Sequence, residues 1–318
     1  MKIIDAAATR EALPFERLIP ALRAMFETGC EVPARHVHAV AGADGEPAGT
    51  LLVMPAWQPG AYLGIKTVGI FPGNASQGLP ALHSTYLLYD ARNGVPLAMM
   101  DGNEITSRRT AAASALAASY LAPKDARHLL VVGAGRVARL LPAAYKVVRP
   151  GIERVTVWSR NPEAARGLVD GLRAGGFDGA VDAAIDLSSA VREADIVSTA
   201  TLATEPLIQG ALLRAGTHLD LIGGFTPAMR EADDACFGGD VDLWVDTGEA
   251  LTKSGDLLGP MSRGVFSAGD VRGTLADLVR VQLGGVHDGS SARRTVFKSV
   301  GTALEDLAAA RLVVEHIK

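Results

Sequence analysis

The ten residues Leu129-Leu130-Val131-Val132-Gly133-Ala134-Gly135-Arg136-Val137-Ala138 constrain this chain most. Four consecutive apolar residues read as a strand buried on both faces, and the Gly-x-Gly-x-x-Ala turn then opens a helix. Gly133 permits the tight turn, Gly135 lets a backbone approach a pyrophosphate, and Ala138 keeps the helix close to the strand. The amides of Arg136 and Val137 then face the phosphates at the helix start. Glycine-rich turns also occur for packing alone, so the context has to decide. A second strand at 155–158 ends in Ser159-Arg160-Asn161-Pro162, where such a unit meets the adenosine ribose. Strands at 196–199, 218–222 and 243–245 alternate with helical stretches, as in an α/β, doubly wound parallel sheet. Thr199-Ala200-Thr201 falls at the carboxyl edge of that sheet, where dinucleotide contacts are expected. Asn161 and Pro162 form a good N-cap and first-turn pair. Pro142 lies about two turns into the first helix of the unit, and a bend is expected there.

At 318 residues the chain is long enough for about two domains. A net charge of −4, with 31 Lys and Arg dispersed, gives no footprint for nucleic acid. Cys30 and Cys236 stand in unrelated contexts with no zinc spacing, which suits a reducing compartment. Asp195, Asp240, Asp242 and Asp246 have no metal-ligand spacing, and no metal is expected. No apolar run approaches a membrane span, so a soluble cytoplasmic protein is expected.

Before the glycine turn the periodicities differ. Phe15, Leu18, Ile19, Leu22, Met25 and Phe26 recur at helical spacing until Thr28-Gly29. Apolar segments at 37–40, 50–54 and 62–70 suit an antiparallel meander, and segments 86–89 and 95–100 flank an Asn-Gly hairpin. An Ala-rich helix spans 104–121; near the end, 295–299 reads as a strand and 302–317 as a helix. The last twenty residues are expected to return to the first domain. Three cations interrupt apolar surroundings: Arg35, Lys66 and Arg109. Each either snorkels to water or meets an anion, and spacing leaves both open. His83 is a further proton-donor candidate, and Asp220, inside an apolar strand, must meet a hydrogen-bond donor.

The motifs Val32-Pro33-Ala34-Arg35, Met54-Pro55-Ala56, Gly64-Ile65-Lys66, Phe71-Pro72-Gly73-Asn74, Gly94-Val95-Pro96, Ile105-Thr106 with Arg109-Thr110, Gly133-Ala134-Gly135, and Ser299-Val300-Gly301 with Glu305-Asp306 run in order along the chain. As a set they resemble the ornithine cyclodeaminase and mu-crystallin family. The resemblance implies a substrate-binding and dimerisation domain from 1–122 with 296–318, a Rossmann domain from 123–295, an active site between them, and a homodimer. It implies that Arg35, Lys66 and Arg109, with Gly301 nearby, gather round the carboxylate of an amino or imino acid, Lys66 being the catalytic candidate. The expected cofactor set is Thr110, Gly133, Gly135, Arg136, Val137, Ser159, Arg160, Asn161, Thr199, Ala200, Thr201, Ile222 and Val300. With no carboxylate at the end of the 155–158 strand to repel a 2′-phosphate, NADPH is expected in preference to NADH.

The family's cyclodeaminases carry an Asp after the glycine pair that here reads Gly223-Gly224-Phe225, and a substrate-contacting Thr where Ala81 stands. Phe225 takes no proton and holds no ammonium, so ornithine cyclisation loses a required group. The string from His218 to Glu231 is similar to the subgroup that reduces 1-pyrroline-2-carboxylate. The expected reaction is therefore NAD(P)H-dependent reduction of small cyclic ketimine acids to L-proline or L-pipecolate. An alanine-dehydrogenase-like or cyclodeaminase-like enzyme, or a mu-crystallin-like ligand-binding protein, is the alternative.

Overall fold

A computed structural model describes residues 1–43, 45–280 and 293–317. The chain divides into two compact units, Met1–Arg109 with Thr302–Lys318, and Thr110–Gly301. These boundaries fall at 109/110 and 301/302 rather than at the expected 122/123 and 295/296.

The first unit runs through β1 (Lys2–Ile4), α1 (Ala6–Glu11), α2 (Phe15–Thr28), β2 (His36–Ala41), β3 (Pro47–Trp57), β4 (Tyr62–Ile70), β5 (Leu82–Asp90), β6 (Pro96–Asp101) and the start of α3 (Gly102–Leu121). Its strands order as β1-β6-β5-β4-β3-β2. β2 to β6 form the antiparallel meander that the alternating apolar segments require. β1, too short to be read from its three residues, pairs parallel with β6. The apolar face of α2 is buried as its spacing demands, and Gly29, at φ 77°, ends the helix in a backbone region that a side chain would disfavour. The Asn-Gly hairpin is present, its Gly94 amide donating to the Asp90 carbonyl at 2.8 Å. Because strand side chains alternate, Met54, Lys66, Tyr86 and Met100 stand in one row across four strands, and all are buried.

The second unit continues with β7 (His128–Val132), α4 (Leu141–Val148), β8 (Arg154–Trp158), α5 (Pro162–Ala174), β9 (Ala180–Ala183), α6 (Leu187–Glu193), β10 (Ile196–Thr199), β11 (His218–Leu221), β12 (Val241–Val245), α7 (Ala250–Lys253), α8 (Gly255–Ser262), β13 (Val271–Thr274), α9 (Leu275–Arg280) and β14 (Arg294–Lys298). The eight strands order as β13-β12-β14-β11-β10-β7-β8-β9, every pair parallel. This is an α/β, Rossmann-like sheet with its switch of direction between β7 and β10. β7 is buried at all five positions, as a strand covered on both faces must be. Arg149, itself buried, donates to the Ala118, Ala122 and Pro123 carbonyls and closes the C-terminus of α3, where a cation is favoured.

Two expectations are corrected here. Pro142 does not bend a helix, because α4 begins only at Leu141 and Pro142 sits in its first turn, where the missing N–H costs no bond. The residues between Gly135 and α4 form turns instead. β14 does not return to the first unit: it inserts between β11 and β12 and completes the parallel sheet. Only the helix that follows, α10 (Ala303–His316), belongs to the first unit, where it packs on β3, β4, β5 and α2.

Candidate active site

In the first unit, α10 brings two carboxylates to the buried row of the sheet. Thr302 caps the helix, and Glu305 and Asp306 follow in its first turn, where the helix dipole favours negative charge. Both are buried, so each needs a cation. Lys66, on β4, places Nζ 2.6 Å from Asp306 Oδ2 and donates to Thr106 Oγ1 at 3.3 Å. Arg109, on α3, donates through Nε to Asp306 Oδ1 at 2.9 Å and through Nη1 to Glu305 Oε2 at 2.6 Å. Two cations and two carboxylates thus lock together away from water.

The balance shows in the proton affinities. Burial pulls the Lys66 ammonium down to about 8 although Asp306 works in the opposite direction, and the neighbouring Arg109 lowers it further. Burial opposes the Asp306 charge too, but Lys66 and Arg109 outweigh it and hold the carboxyl below its ordinary value. The same carboxylates keep Arg109 charged against its own burial. Lys66 is therefore a buried amine able to give up or take a proton near neutrality.

The structure joins Lys66 and Arg109 through Asp306. Arg35, half-buried, stands one residue before β2, where continuing the ladder sets it opposite Met54 and so two strands from Lys66. At ~4.8 Å per strand that is about 10 Å of backbone. His83 is exposed and lies on the other face of β5 from Tyr86 and Lys66, which separates it from the cluster. Tyr86, directly opposite Lys66 on β5, fills the space above Gly64 so closely that a Cβ there would stand 1.8 Å from its hydroxyl.

In the second unit, the expected dinucleotide positions collect at the carboxyl edge of the parallel sheet. Gly133, at φ 121°, passes so near the β10 end that a Cβ would lie 2.5 Å from the Ala200 carbonyl oxygen. The Cβ direction of Gly135 has no protein atom within 4 Å, which is the room a pyrophosphate needs. Arg136 is exposed and Val137 half-buried in the turn that follows. At the end of β8, Ser159 is half-buried and Arg160 exposed, while the Asn161 side chain caps α5 by accepting from the Glu163 and Ala164 amides. Thr110 is half-buried on α3, Ile222 is buried, and Ala200 and Thr201 are half-buried. Thr199 is buried outright and its hydroxyl donates to Glu231 Oε2 at 2.7 Å, so that side chain serves the protein rather than a ligand. Val300 and Gly301 donate their amides to Asp246 Oδ2 at 2.7 and 2.6 Å. Gly301 itself is buried at φ 78°, where a side chain would be strained. Phe225 is 42% exposed beyond the β11 end.

Asp220 meets the donors its burial demanded: Ser198 Oγ at 2.5 Å, Tyr145 Oη at 2.9 Å and Ser114 Oγ at 3.0 Å. Burial raises it to about 6 against those hydroxyls. It is fully buried where β10 and β11 meet α3 and α4, and it ties those elements together.

The structure adds Glu305, Asp306, Thr106, Glu231, Asp256, Asp246 and Lys298, to which sequence reasoning gave no role. The signal for the first two was partial: an acidic pair at the head of an Ala- and Leu-rich helix suits the helix dipole wherever it stands, and only the burial of that turn demands cations. For the others, separated by tens of residues, no sequence spacing carries the information.

A parallel sheet in this order, with a glycine turn at its switch point and a separate unit holding paired buried cations, defines a Rossmann-type nucleotide-binding protein with an accessory α+β unit. The chain belongs to the ornithine cyclodeaminase/mu-crystallin family, whose model matches residues 5–318. It is 46% identical over 264 residues to a Delta(1)-pyrroline-2-carboxylate reductase of Paracoccus denitrificans, covering 83% of this chain and 82% of that one. Its fold is similar to that of the Thermococcus litoralis Delta(1)-pyrroline-2-carboxylate reductase solved with NADH and L-proline, with a TM-score of 0.90, 31% identity, and coverage of 99% and 97%. It is also similar to an archaeal alanine dehydrogenase dimer with bound NAD, at a TM-score of 0.89, 27% identity, and coverage of 99% and 95%. Among the described residues no helix is long and apolar enough to cross a membrane.

Proposed function

We propose that this protein is an oxidoreductase that reduces the C=N bond of small cyclic ketimine acids with NAD(P)H, chiefly 1-pyrroline-2-carboxylate to L-proline and also 1-piperideine-2-carboxylate to L-pipecolate. The observation that carries this reading is the buried Lys66, poised at about 8 beside an arginine whose plane is fixed by two carboxylates. An imine accepts hydride far better once its nitrogen is protonated, so the reaction needs a proton source of this affinity. Arg35 and Arg109 hold the substrate carboxylate, which fixes the C=N carbon for attack, and Lys66 holds or delivers the proton at nitrogen. The reduced nicotinamide, when bound, supplies the hydride to that carbon. The first unit is the substrate-binding and dimerisation part and the second the dinucleotide-binding part.

The glycine turn, with its room beside Gly135, fits a dinucleotide. The exposed Arg160, with no acidic residue in Ser159-Arg160-Asn161, supports NADPH over NADH, although the Thermococcus relative was solved with NADH. A homodimer is supported by the dimeric alanine dehydrogenase relative and by Val37, exposed on the edge strand β2. The free Cys30 and Cys236 suit a reducing cytoplasm.

The similarity to alanine dehydrogenase favours one second reading, reductive amination of a 2-oxo acid. Steady-state oxidation of NADPH and NADH with the pyrroline, with the piperideine, and with pyruvate plus ammonia separates the two. Turnover of the cyclic imines without ammonia is the expected result. Turnover only with ammonia overturns the proposal in favour of the second reading, and saturable binding without turnover makes the chain a ligand-binding member of the family.

A further inference from the structure

Beneath the carboxyl edge of the parallel sheet runs a chain of buried charges that the reaction does not use. Lys298, at the end of β14, places Nζ 3.1 Å from Asp256 Oδ2. Asp256, on α8, accepts through Oδ1 from the backbone amides of Glu231 and Ala232 at 2.7 and 3.0 Å. The Glu231 carboxylate then receives four donors. Oε1 takes the Thr201 amide at 2.8 Å and the Thr201 hydroxyl at 2.7 Å; Oε2 takes the Thr199 hydroxyl at 2.7 Å and the Gly223 amide at 2.6 Å. Lys298, Asp256, Glu231 and Thr199 have no exposure to water. All four of Glu231's partners are donors to it, and two are backbone amides that cannot turn round, so the group works as a carboxylate.

The four donors come from the last residue of β10, the loop that leaves it, and the loop that leaves β11. These strands are neighbours on the side of β7 opposite to β8. The loops are pressed together at the clamp: a Cβ on Gly223 would stand 2.0 Å from the Thr201 carbonyl oxygen and 2.4 Å from Glu231 Oε1, and one on Gly224 would stand 2.0 Å from Asp256 Oδ2. Apolar packing would join two loops without the cost of burying a charge. A carboxylate with every lone pair committed does something packing does not: it sets the loops to a single register.

A dinucleotide at the switch point extends in two directions, its adenosine half over β8 and its nicotinamide half over β10 and β11. We propose that Glu231 is a positioning residue for the nicotinamide half alone, holding the β10 and β11 loops as one wall. The adenosine half is served by the end of β8 and by the Gly133 turn, which touches the held loop at Ala200 and Thr201 but donates nothing to Glu231. This rests on the dinucleotide reading given above.

Glu231→Gln tests the idea in the full-length protein. Whichever way the amide is turned, one backbone N–H, of Thr201 or of Gly223, faces another donor. Dissociation constants for NADPH and for 2′-phospho-ADP-ribose, which lacks the nicotinamide, are measured by calorimetry on wild type and variant. The expected result is NADPH binding weakened about tenfold or more, with the ADP-ribose constant within twofold of wild type. Unchanged NADPH binding overturns the proposal, and so does equal weakening of both ligands, which is general loosening. Thr199→Val, which keeps shape and removes one donor to Glu231, carries the test should Glu231→Gln fail to fold. Its expected effect is about threefold on NADPH and none on the ADP-ribose, and no effect on either overturns the proposal. If the wild type binds neither ligand, the dinucleotide reading itself is at fault.

Discussion

Replacing Asp306 by Asn removes one negative charge from the Lys66–Arg109–Asp306–Glu305 cluster while keeping its shape. Lys66 Nζ loses a carboxylate at 2.6 Å, and Arg109 keeps only Glu305. Breaking a buried pair in this way costs about 3–5 kcal/mol. An opposite charge so close sustains a proton affinity by roughly one to three pH units, so Lys66 falls below its present value of about 8 by that amount. A lysine whose folded pKa lies below the unfolded ~10.4 sheds its proton on folding, so it weakens the fold at low pH and stops doing so as pH rises. The part of the deficit due to Lys66 is therefore full in acid, fades as pH rises from the variant's lowered value to about 8 and is gone above it, whereas the part due to Arg109 persists. If protonated Lys66 serves the reduction, the alkaline fall of kcat/KM moves to lower pH by the same one to three pH units. Urea unfolding at pH 6 and pH 9, with a pH–rate profile on the pyrroline, reads both effects. A loss of stability under about 1 kcal/mol together with an unmoved alkaline limb would show that the cluster is neither a buried charge balance nor the source of the proton.

Other outcomes are expected on the same grounds. Arg160→Ala weakens NADPH more than NADH, a loss near tenfold for one charged phosphate contact; a wild-type preference for NADH in initial-rate measurements refutes it. Ornithine gives no ammonia at a rate near that of imine reduction, because Phe225 offers no base, and Phe225→Asp alone does not restore it while Ala81 remains; a coupled ammonia assay decides. Lys66→Met, keeping length without the proton, lowers kcat most at high pH, whereas Arg109→Lys raises KM as well, having lost its planar fork; a normal kcat with only a raised KM in Lys66→Met makes Lys66 a carboxylate ligand. Asp220, raised to about 6, binds its proton more tightly folded than unfolded. Stability therefore falls as pH rises from the unfolded value of ~3.9 through 6, and Asp220→Asn removes that slope in thermal melts at pH 4 and pH 7.

Local signals carried most of the architecture. The strand from Leu129 declared itself by having no polar face, the glycine turn by its spacing, and α2 by its 3.6-residue period, because each is decided by neighbours in sequence. Pro142 was misplaced for the converse reason: a proline reads as a kink or as a start depending on where the preceding turns end, which tertiary contacts decide. β14 misled similarly, since nothing in Arg294–Lys298 states which strands it will separate. Lys66 and Arg109 stood out as lone cations in apolar surroundings, yet their anions lie some two hundred residues away, and no periodicity reaches that far. Glu231 entered the sequence reading only as the end of the string from His218, because its donors at Thr199 and Thr201 lie thirty or more residues back on another strand end.

The late position of β14 and α10 constrains the order in which the chain can fold. Until residues 294–298 emerge, β11 and β12 lack the strand that joins them, and two parallel edges stand open. Until residues 303–316 follow, Lys66 and Arg109 have no anions and the sheet face they line has no cover. A nascent chain halted after residue 280 would thus hold two half-built units, each missing its keystone, and would depend on chaperones or aggregate through those edges. A deletion of the last two dozen residues takes most of β14 and all of α10 and should therefore abolish both units together rather than trim one of them.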